Sequence, residues 1–235
     1  MRWCFSLLLA AAVALAQQRS FVSCPIVRDT KTVPCFLAED NGELYFLGTQ
    51  PDATSDFHAP QLKHEVMVEG RVAPGPRVCG GIPLQPVSIS VMKEINLACS
   101  TMLPPEPGLD APVVSRSATA DQPLSGAHEF TVLYSFDDDD LAPAVNSVLT
   151  RAADYAQRIH ASSVKVAGYR AATLLSNGNR LVEKEGLAER RTQNIATLLR
   201  GLGVGNVKVE WKSEAEPADG QNDPAHRRVN ILVTP

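Results

Sequence analysis

Apolar positions in residues 129–235 recur with two alternating spacings. Runs with every second position apolar are typical of half-buried strands, and apolar positions three and four residues apart are typical of helices packed on one side. Strand–helix–strand crossovers are right-handed, which places both helices on one face of the sheet. The pattern therefore predicts an α+β unit with the order βαβαββ. Its strands are expected at 130–136, 164–169, 207–212 and 227–234, and its helices at 141–160 and from Leu187 onward.

Residues 21–103 carry shorter apolar runs, separated by prolines that argue against helices. Two strand-like runs, 35–40 and 43–47, flank Asn41-Gly42, a dipeptide typical of a two-residue hairpin turn. Residues 87–91 alternate between apolar side chains and serine, which is the period of a half-buried strand. We expect a small all-β unit here.

Residues 104–128 contain five prolines among small and polar residues, with little that could be buried. This composition predicts an extended, exposed linker. The chain is therefore expected to form two independent units, 21–103 and 129–235, on either side of the linker.

One cation interrupts the apolar face of the second helix. At 100° per residue, Arg191 falls inside the apolar stripe of that helix, whereas Arg190 points toward solvent. Burying an unpaired charge costs several kcal/mol, so the guanidinium must meet a carboxylate. The sequence leaves two sources open, another residue of this chain or a bound ligand. The stripe consists of Leu187, Ile195, Leu198, Leu199 and Leu202.

Residues 1–16 are typical of an export signal. Arg2 supplies a positive charge, an apolar run follows, and Ala14-Leu15-Ala16 has the small-x-small pattern of a cleavage site. The apolar run is too short to span a bilayer, and no later stretch is long enough. We expect an exported bacterial protein without a transmembrane segment. A lipoprotein anchored through Cys24 is a minor alternative, because Cys24 lies far beyond the apolar run.

The formal net charge of −4 is spread along the chain. There is no basic stripe of the kind that binds nucleic acid, and no polybasic cluster of the kind that binds anionic membranes. The sequence also lacks a P-loop, a G-x-S-x-G elbow and an HExxH pair. We therefore expect no nucleic-acid partner, no cofactor and no enzymatic activity.

Four cysteines follow the predicted leader. An even number in an exported chain favours two disulfides. Three connectivities are possible, and nearness in sequence suggests Cys24–Cys35 and Cys79–Cys99. A zinc site that includes His58 and His64 is the rival interpretation, but no C-x-x-C pair supports it.

Four consecutive aspartates, Asp137–Asp140, separate the first predicted strand from the first predicted helix. Their spacing is not that of an EF-hand calcium loop. Acidic residues at a helix N-terminus cap the helix and complement its dipole. We expect this capping role and no metal site.

Three short motifs follow one another in the C-terminal half: Gly168-Tyr169, Leu187-Ala-Glu-Arg-Arg-Thr192 and His226-Arg-Arg-Val229. Together they resemble the signature of the OmpA C-terminal domain family, which includes the peptidoglycan-associated lipoprotein and the stator protein MotB. The usual signature is G-H/Y-x-D, then L-S/G-x-x-R-A, then N-R-R-V on a final strand. The resemblance spans residues 129–235. It implies a βαβαββ sheet and a place in the periplasm, associated with the outer membrane.

The resemblance also implies a ligand, the diaminopimelate of the peptidoglycan stem peptide. In typical members the aspartate of the first motif pairs with the ligand ammonium, and the arginine of the second motif pairs with the ligand carboxylate. Carried over to this sequence, that arginine is Arg191. Tyr169, Leu187 and Arg228 stand in the matching motifs and complete the candidate ligand-binding set.

The first motif departs from the family pattern. Its aspartate position falls on Ala171, and Arg170 beside it would repel an ammonium group. Glu183 or Glu185 could supply the missing anion if the loop between the motifs folds back.

Two hypotheses for the function follow. The first is a non-enzymatic envelope protein that contacts peptidoglycan through Arg191. The second is a degenerate OmpA-like domain that binds another envelope protein or has a structural role, with Arg191 in an internal ion pair. An open guanidinium favours the first hypothesis, and a carboxylate of the chain within reach of Arg191 favours the second.

Overall fold

The computed structural model describes residues 17–50, 57, 59–112 and 125–235. It shows a sheet-rich α+β protein with few helices and two disulfides, so the predicted α+β class is confirmed. The predicted leader, His58 and residues 113–124 of the predicted linker lie outside the described residues. Within the described ranges, no helix is both long enough and apolar enough to cross a membrane.

The N-terminal part forms a seven-stranded sheet in the order β1-β5-β6-β4-β3-β2-β7. The predicted hairpin is present, and its turn residues Asn41 and Gly42 both have positive φ. Phe21, Tyr45 and Val66 lie in the core of this unit. The strands are β1 (Gln18–Ser23), β2 (Pro25–Arg28), β3 (Cys35–Asp40), β4 (Glu43–Thr49), β5 (His64–Val72), β6 (Ile82–Ile95) and β7 (Thr101–Leu103).

The disulfide pairing suggested by nearness in sequence is wrong. Cys24 is bonded to Cys99, and Cys35 is bonded to Cys79. The first bond follows from the sheet, because Cys24 and Cys99 each lie just before one of two parallel neighbours, β2 and β7, in matching register. All four cysteines are engaged, which argues against both the zinc interpretation and a lipid anchor on Cys24.

Peptide mapping under non-reducing conditions should recover these two cross-links. Replacing Cys24 and Cys99 together by serine should lower the free energy of unfolding by about 2–5 kcal/mol, the usual loss for a native disulfide in a small exported unit. Cross-linked peptides that join Cys24 to Cys35 or Cys79 to Cys99 would contradict the observed arrangement.

The C-terminal part forms a second sheet in the order β10-β9-β12-β8, with β11 paired in parallel to β9. The order of elements contains two short additions to the predicted pattern, β10 and α3. Both long helices contribute to one core with the sheet, including Leu149, Leu199 and Ile231. The elements are β8 (His128–Leu133), α1 (Pro143–Arg158), β9 (Ser163–Leu174), β10 (Arg180–Val182), α2 (Leu187–Gly201), β11 (Val207–Glu216), α3 (Asp223–His226) and β12 (Arg228–Thr234).

Two local predictions for the helices are wrong. Helix α1 begins at Pro143 after an Ala142 N-cap and has no acidic residue in its first turn, so the four aspartates do not cap it. Leu198 of α2 and its C-cap residue Leu202 are 39% and 42% exposed. The buried face of α2 is centred on Ala188, Ile195 and Leu199, which leaves these two leucines at its border.

The two units share a buried interface, contrary to the prediction of independent units. Glu69 of β5 and Arg227 form an ion pair at 2.5 Å, and their side chains are 1% and 0% exposed. Thr173 of β9 donates a hydrogen bond to Glu69 and accepts one from Arg227. Met67 of β5 packs in a cluster with Phe136 and Leu175 of the C-terminal unit.

The described part of the predicted linker is also held in place. Glu106 pairs with the buried Arg28, and Ala111 packs against the cluster that contains Cys35 and Cys79. Residues 104–112 therefore belong structurally to the N-terminal unit, although 107–110 include a turn and exposed positions.

Candidate functional site

Arg191 lies in the first half of α2 with no exposed surface. Three other segments converge on it: the loop after β8, the strand β9, and the residues that follow β10. Gly168 in β9 lets α2 approach closely, because a Cβ at this position would lie 1.9 Å from Thr192 Oγ1 and 2.4 Å from the Ala188 carbonyl oxygen. The glycine of the first motif is thus required by helix–sheet packing.

Every N–H group of the Arg191 guanidinium has an acceptor inside the chain. Nε donates to the Asp138 carbonyl at 2.7 Å, and Nη1 donates to the Tyr169 carbonyl at 3.3 Å. Nη2 donates to the Ser135 carbonyl at 3.1 Å. The remaining two donors bind Glu183, from Nη1 to Oε2 at 3.1 Å and from Nη2 to Oε1 at 2.7 Å. A guanidinium has five N–H donors, so none remains for a ligand.

The Glu183 carboxylate is equally saturated. Besides the two bonds from Arg191, its Oε1 accepts the Asp137 backbone N–H at 3.0 Å and its Oε2 accepts the Ala171 backbone N–H at 2.8 Å. The side chains of Glu183 and Arg191 are both 0% exposed. The chain itself therefore supplies the carboxylate that the sequence resemblance assigned to a ligand.

An aromatic ring completes the enclosure. The Cζ atom of Arg191 lies 4.6 Å from the centroid of the Tyr134 ring, within cation–π range. Burial raises the pKa of the Tyr134 hydroxyl, which stays neutral beside the ion pair. The Tyr134 ring thus covers a face of the guanidinium, and hydrogen-bond acceptors surround its edges.

Ala171 and Arg170 support this closure. Ala171 is fully buried, and its backbone N–H is held by Glu183. Arg170 was expected to repel a ligand ammonium, but its Nη1 donates to the Glu183 carbonyl at 2.6 Å and its Nε donates to the Ser213 carbonyl at 2.6 Å. Arg170 therefore fixes the backbone of the residue that neutralises Arg191.

Ala171→Asp should destabilise the protein and should not create a binding site. A carboxylate at this buried position would lie beside the Glu183 carboxylate, where like charges in a poorly solvated site repel. We expect a loss of at least about 2 kcal/mol in urea unfolding, since an unpaired charge would be buried. Ala171→Ser adds volume without a charge, and it should lower the free energy of unfolding much less. Equal stability of the aspartate and serine variants would contradict the closed geometry.

The other predicted ligand residues do not converge on Arg191 through their side chains. The Tyr169 ring makes two cation–π contacts, with Arg228 Cζ 4.2 Å and Lys212 Nζ 5.1 Å from its centroid. Arg228 also pairs with Glu216 at 2.7 Å. Successive strand side chains point to opposite faces, so these groups lie on the face of the sheet away from the helices. Leu187 is the first residue of α2 and is 1% exposed.

Three of the four aspartates, Asp137, Asp138 and Asp139, pair with cations of the chain. Asp137 pairs with Lys184 at 2.7 Å, and Asp139 pairs with Arg190 at 2.7 Å. The hydrogen bond from Arg190 holds the pKa of the Asp139 carboxyl below its usual value. Carboxylate oxygens of Asp138, Asp139 and Asp140 lie within 4.8 Å of one another, but Lys93 lies 3.2 Å from Asp138. These pairs tie the loop after β8 to α2 and to the N-terminal unit.

No family model and no curated protein matches this sequence. Solved structures do align with it. The OmpA-like domain of FopA1 from Francisella tularensis aligns at 18% identity and a TM-score of 0.37, covering 46% of this chain and 73% of that chain. The periplasmic domain of Helicobacter pylori MotB (residues 78–256) aligns at 17% identity and a TM-score of 0.36, covering 48% of this chain and 79% of that chain. Both alignments are weak.

Proposed function

We propose that this chain is a non-enzymatic protein of the bacterial cell envelope. Its C-terminal unit is a degenerate OmpA-like domain that serves as a protein-interaction or structural module and does not hold peptidoglycan through Arg191. The observation that carries this proposal is the buried Arg191–Glu183 pair, in which all five guanidinium N–H groups are used. The predicted leader and the two disulfides support an exported location.

A stem-peptide carboxylate would have to displace the Glu183 carboxylate. The exchange replaces one carboxylate by another on the same guanidinium, so it adds no charge-assisted hydrogen bond. Glu183 would also remain buried and unpaired, at a cost of about 3–5 kcal/mol. An intramolecular partner further benefits from a high effective concentration, which a free ligand must exceed. External binding at Arg191 is therefore disfavoured on each count.

The N-terminal unit reinforces the closure. Ser135 and Asp138, whose carbonyls bind Arg191, flank Phe136, whose backbone N–H donates to Ser90 of β6 at 2.7 Å. The loop that holds Arg191 is thus fastened to the neighbouring unit. A ligand at Arg191 would have to disturb the unit interface as well as the ion pair, which supports a role for the two units as one body.

Sedimentation with peptidoglycan sacculi tests this proposal. The chain without its predicted leader (residues 17–235) should stay in the supernatant, as should Ala171→Ser. If the wild-type chain pellets and Arg191→Met abolishes pelleting while the protein stays folded, the proposal is wrong. If the wild type and Arg191→Met pellet equally, the chain binds peptidoglycan through a surface other than Arg191. That result would also overturn the proposal, because it makes peptidoglycan the partner.

A further inference from the structure

A groove of about 640 Å³ runs between β6 of the N-terminal unit and β8 of the C-terminal unit. Its lining is mainly apolar and includes Val87 and Ile89 from β6, Leu133 from β8 and Val148 from α1. Leu133 is 56% exposed and adds a large apolar side chain to this lining.

One wall of the groove is the outer edge of a sheet. Strand β8 ends the order β10-β9-β12-β8, and among the described residues no strand lies on its other side. The Tyr134 N–H donates to the Arg227 carbonyl in continuation of the β8–β12 register. In an antiparallel pair, hydrogen-bonded and non-hydrogen-bonded positions alternate. Glu129, Thr131 and Leu133 therefore turn their backbone N–H and C=O groups outward, along the groove.

The groove has one acidic end. The exposed Asp140 lines it where the chain approaches α1, beside Asp138, which already pairs with Lys93 at 3.2 Å. The Tyr134 side chain also contributes to the lining; it is 6% exposed, and its hydroxyl has no hydrogen-bond partner in the described part of the chain. An occupant that carries a basic side chain at this end and apolar side chains along the rest would match the groove in charge and polarity.

We infer that this groove docks an extended segment of a partner polypeptide, which adds as a strand to the outer edge of β8. Apolar side chains of the segment pack against Val87, Ile89 and Leu133, and a lysine or arginine lies beside Asp140. Main-chain hydrogen bonds to an exposed edge give such a complex its affinity, and pockets for alternate side chains give it its specificity. This docking site rests on the proposed role in protein interaction and supplies the surface for it. It does not require that the Arg191 guanidinium be inaccessible to ligands.

The probe is a short acetylated and amidated peptide of alternating threonine and valine with one arginine at its N-terminal end. Antiparallel addition to β8 places that end beside Leu133 and the aspartates. Hydrogen exchange of the wild-type chain, residues 17–235, should show new protection of the Thr131 and Leu133 amides when the peptide is added. The Val132 amide should change little, because it already bonds to β12.

Thr131→Pro removes one outward N–H group and leaves the bonds to β12 in place, a position where edge strands tolerate proline. It should weaken peptide binding by up to about tenfold, the effect of one lost backbone hydrogen bond. Thr131→Ala is the matched control and should bind as the wild type does. Asp140→Asn should weaken binding of the arginine peptide but not of a peptide with glutamine in place of the arginine.

Three results would overturn the inference. The first is protection of the Thr131 and Leu133 amides before any peptide is added, which would mean that another part of the chain or a second copy covers the edge. The second is equal affinity of the proline and alanine variants. The third applies if Thr131→Pro does not fold. A peptide with alternate N-methylated amides then serves as the test, and the inference fails if it binds as tightly as the parent peptide. These outcomes do not change the result of sacculus sedimentation. Failure of the docking inference can therefore be distinguished from failure of the proposed function.

Discussion

Glu183→Ala should lower the free energy of unfolding by about 3–5 kcal/mol, because it leaves the Arg191 guanidinium buried without a counter-charge. It also removes the acceptor of the partly buried Asp137 N–H and the buried Ala171 N–H. Urea unfolding of the two proteins measures the loss. Glu185→Ala is the matched control, since Glu185 is exposed, and should change stability by no more than about 0.5 kcal/mol.

The same variant should respond to small carboxylates. Removal of the Glu183 side chain leaves a guanidinium and two backbone N–H groups directed at one vacated position, which suits formate or acetate. A ligand that binds only the folded state stabilises it by mass action, so acetate should raise the unfolding midpoint of Glu183→Ala more than that of the wild type. Chloride at equal ionic strength controls for general salt effects. A variant as stable as the wild type, or equal responses to acetate, would show that Glu183 does not close the site.

Arg227→Ala should have an effect of similar size, about 3–5 kcal/mol, because it leaves Glu69 buried and unpaired between the two units. The same change removes the donor that binds Thr173. We expect the loss to appear as uncoupling: calorimetry should show one transition for the wild type and two for the variant. Arg228→Ala is the neighbouring control, because its pair with Glu216 is partly exposed, and should cost about 1 kcal/mol or less.

A double replacement separates charge from contact. Glu69→Leu combined with Arg227→Met removes both charges and keeps apolar volume, so it should recover most of the stability lost in either single variant. If the single and double variants lose stability additively, the two residues do not interact and the interface is not held as the structure shows.

The periodicity of the sequence was sufficient to predict the main strands and helices, because one face of each is buried. It also identified Arg191 as an inward-facing cation that needs a carboxylate, which the structure bears out. The identity of that carboxylate was not predictable. Glu183 and Glu185 lie two residues apart in a segment without clear periodicity, and only the short hairpin of β9 and β10 turns Glu183 toward Arg191.

Pairings between residues far apart in the chain could not be predicted from the sequence. The Cys24–Cys99 bond depends on the parallel pairing of β2 with β7, which nearness in sequence does not indicate. The Glu69–Arg227 pair joins residues 158 positions apart in what composition suggested were independent units. Glu69 lies in a strand and looks like a solvent-facing charge, since nothing nearby in the sequence reveals that a second unit covers it.

The closed state of Arg191 can be tested most directly through the NMR signal of its own Nε–Hε group. We predict a sharp, slowly exchanging resonance that does not move when a peptidoglycan stem peptide containing diaminopimelate is added to millimolar concentration, because Nε is bonded to the Asp138 carbonyl and Glu183 holds the rest of the guanidinium. A saturable shift of that resonance on addition of the stem peptide would contradict the account.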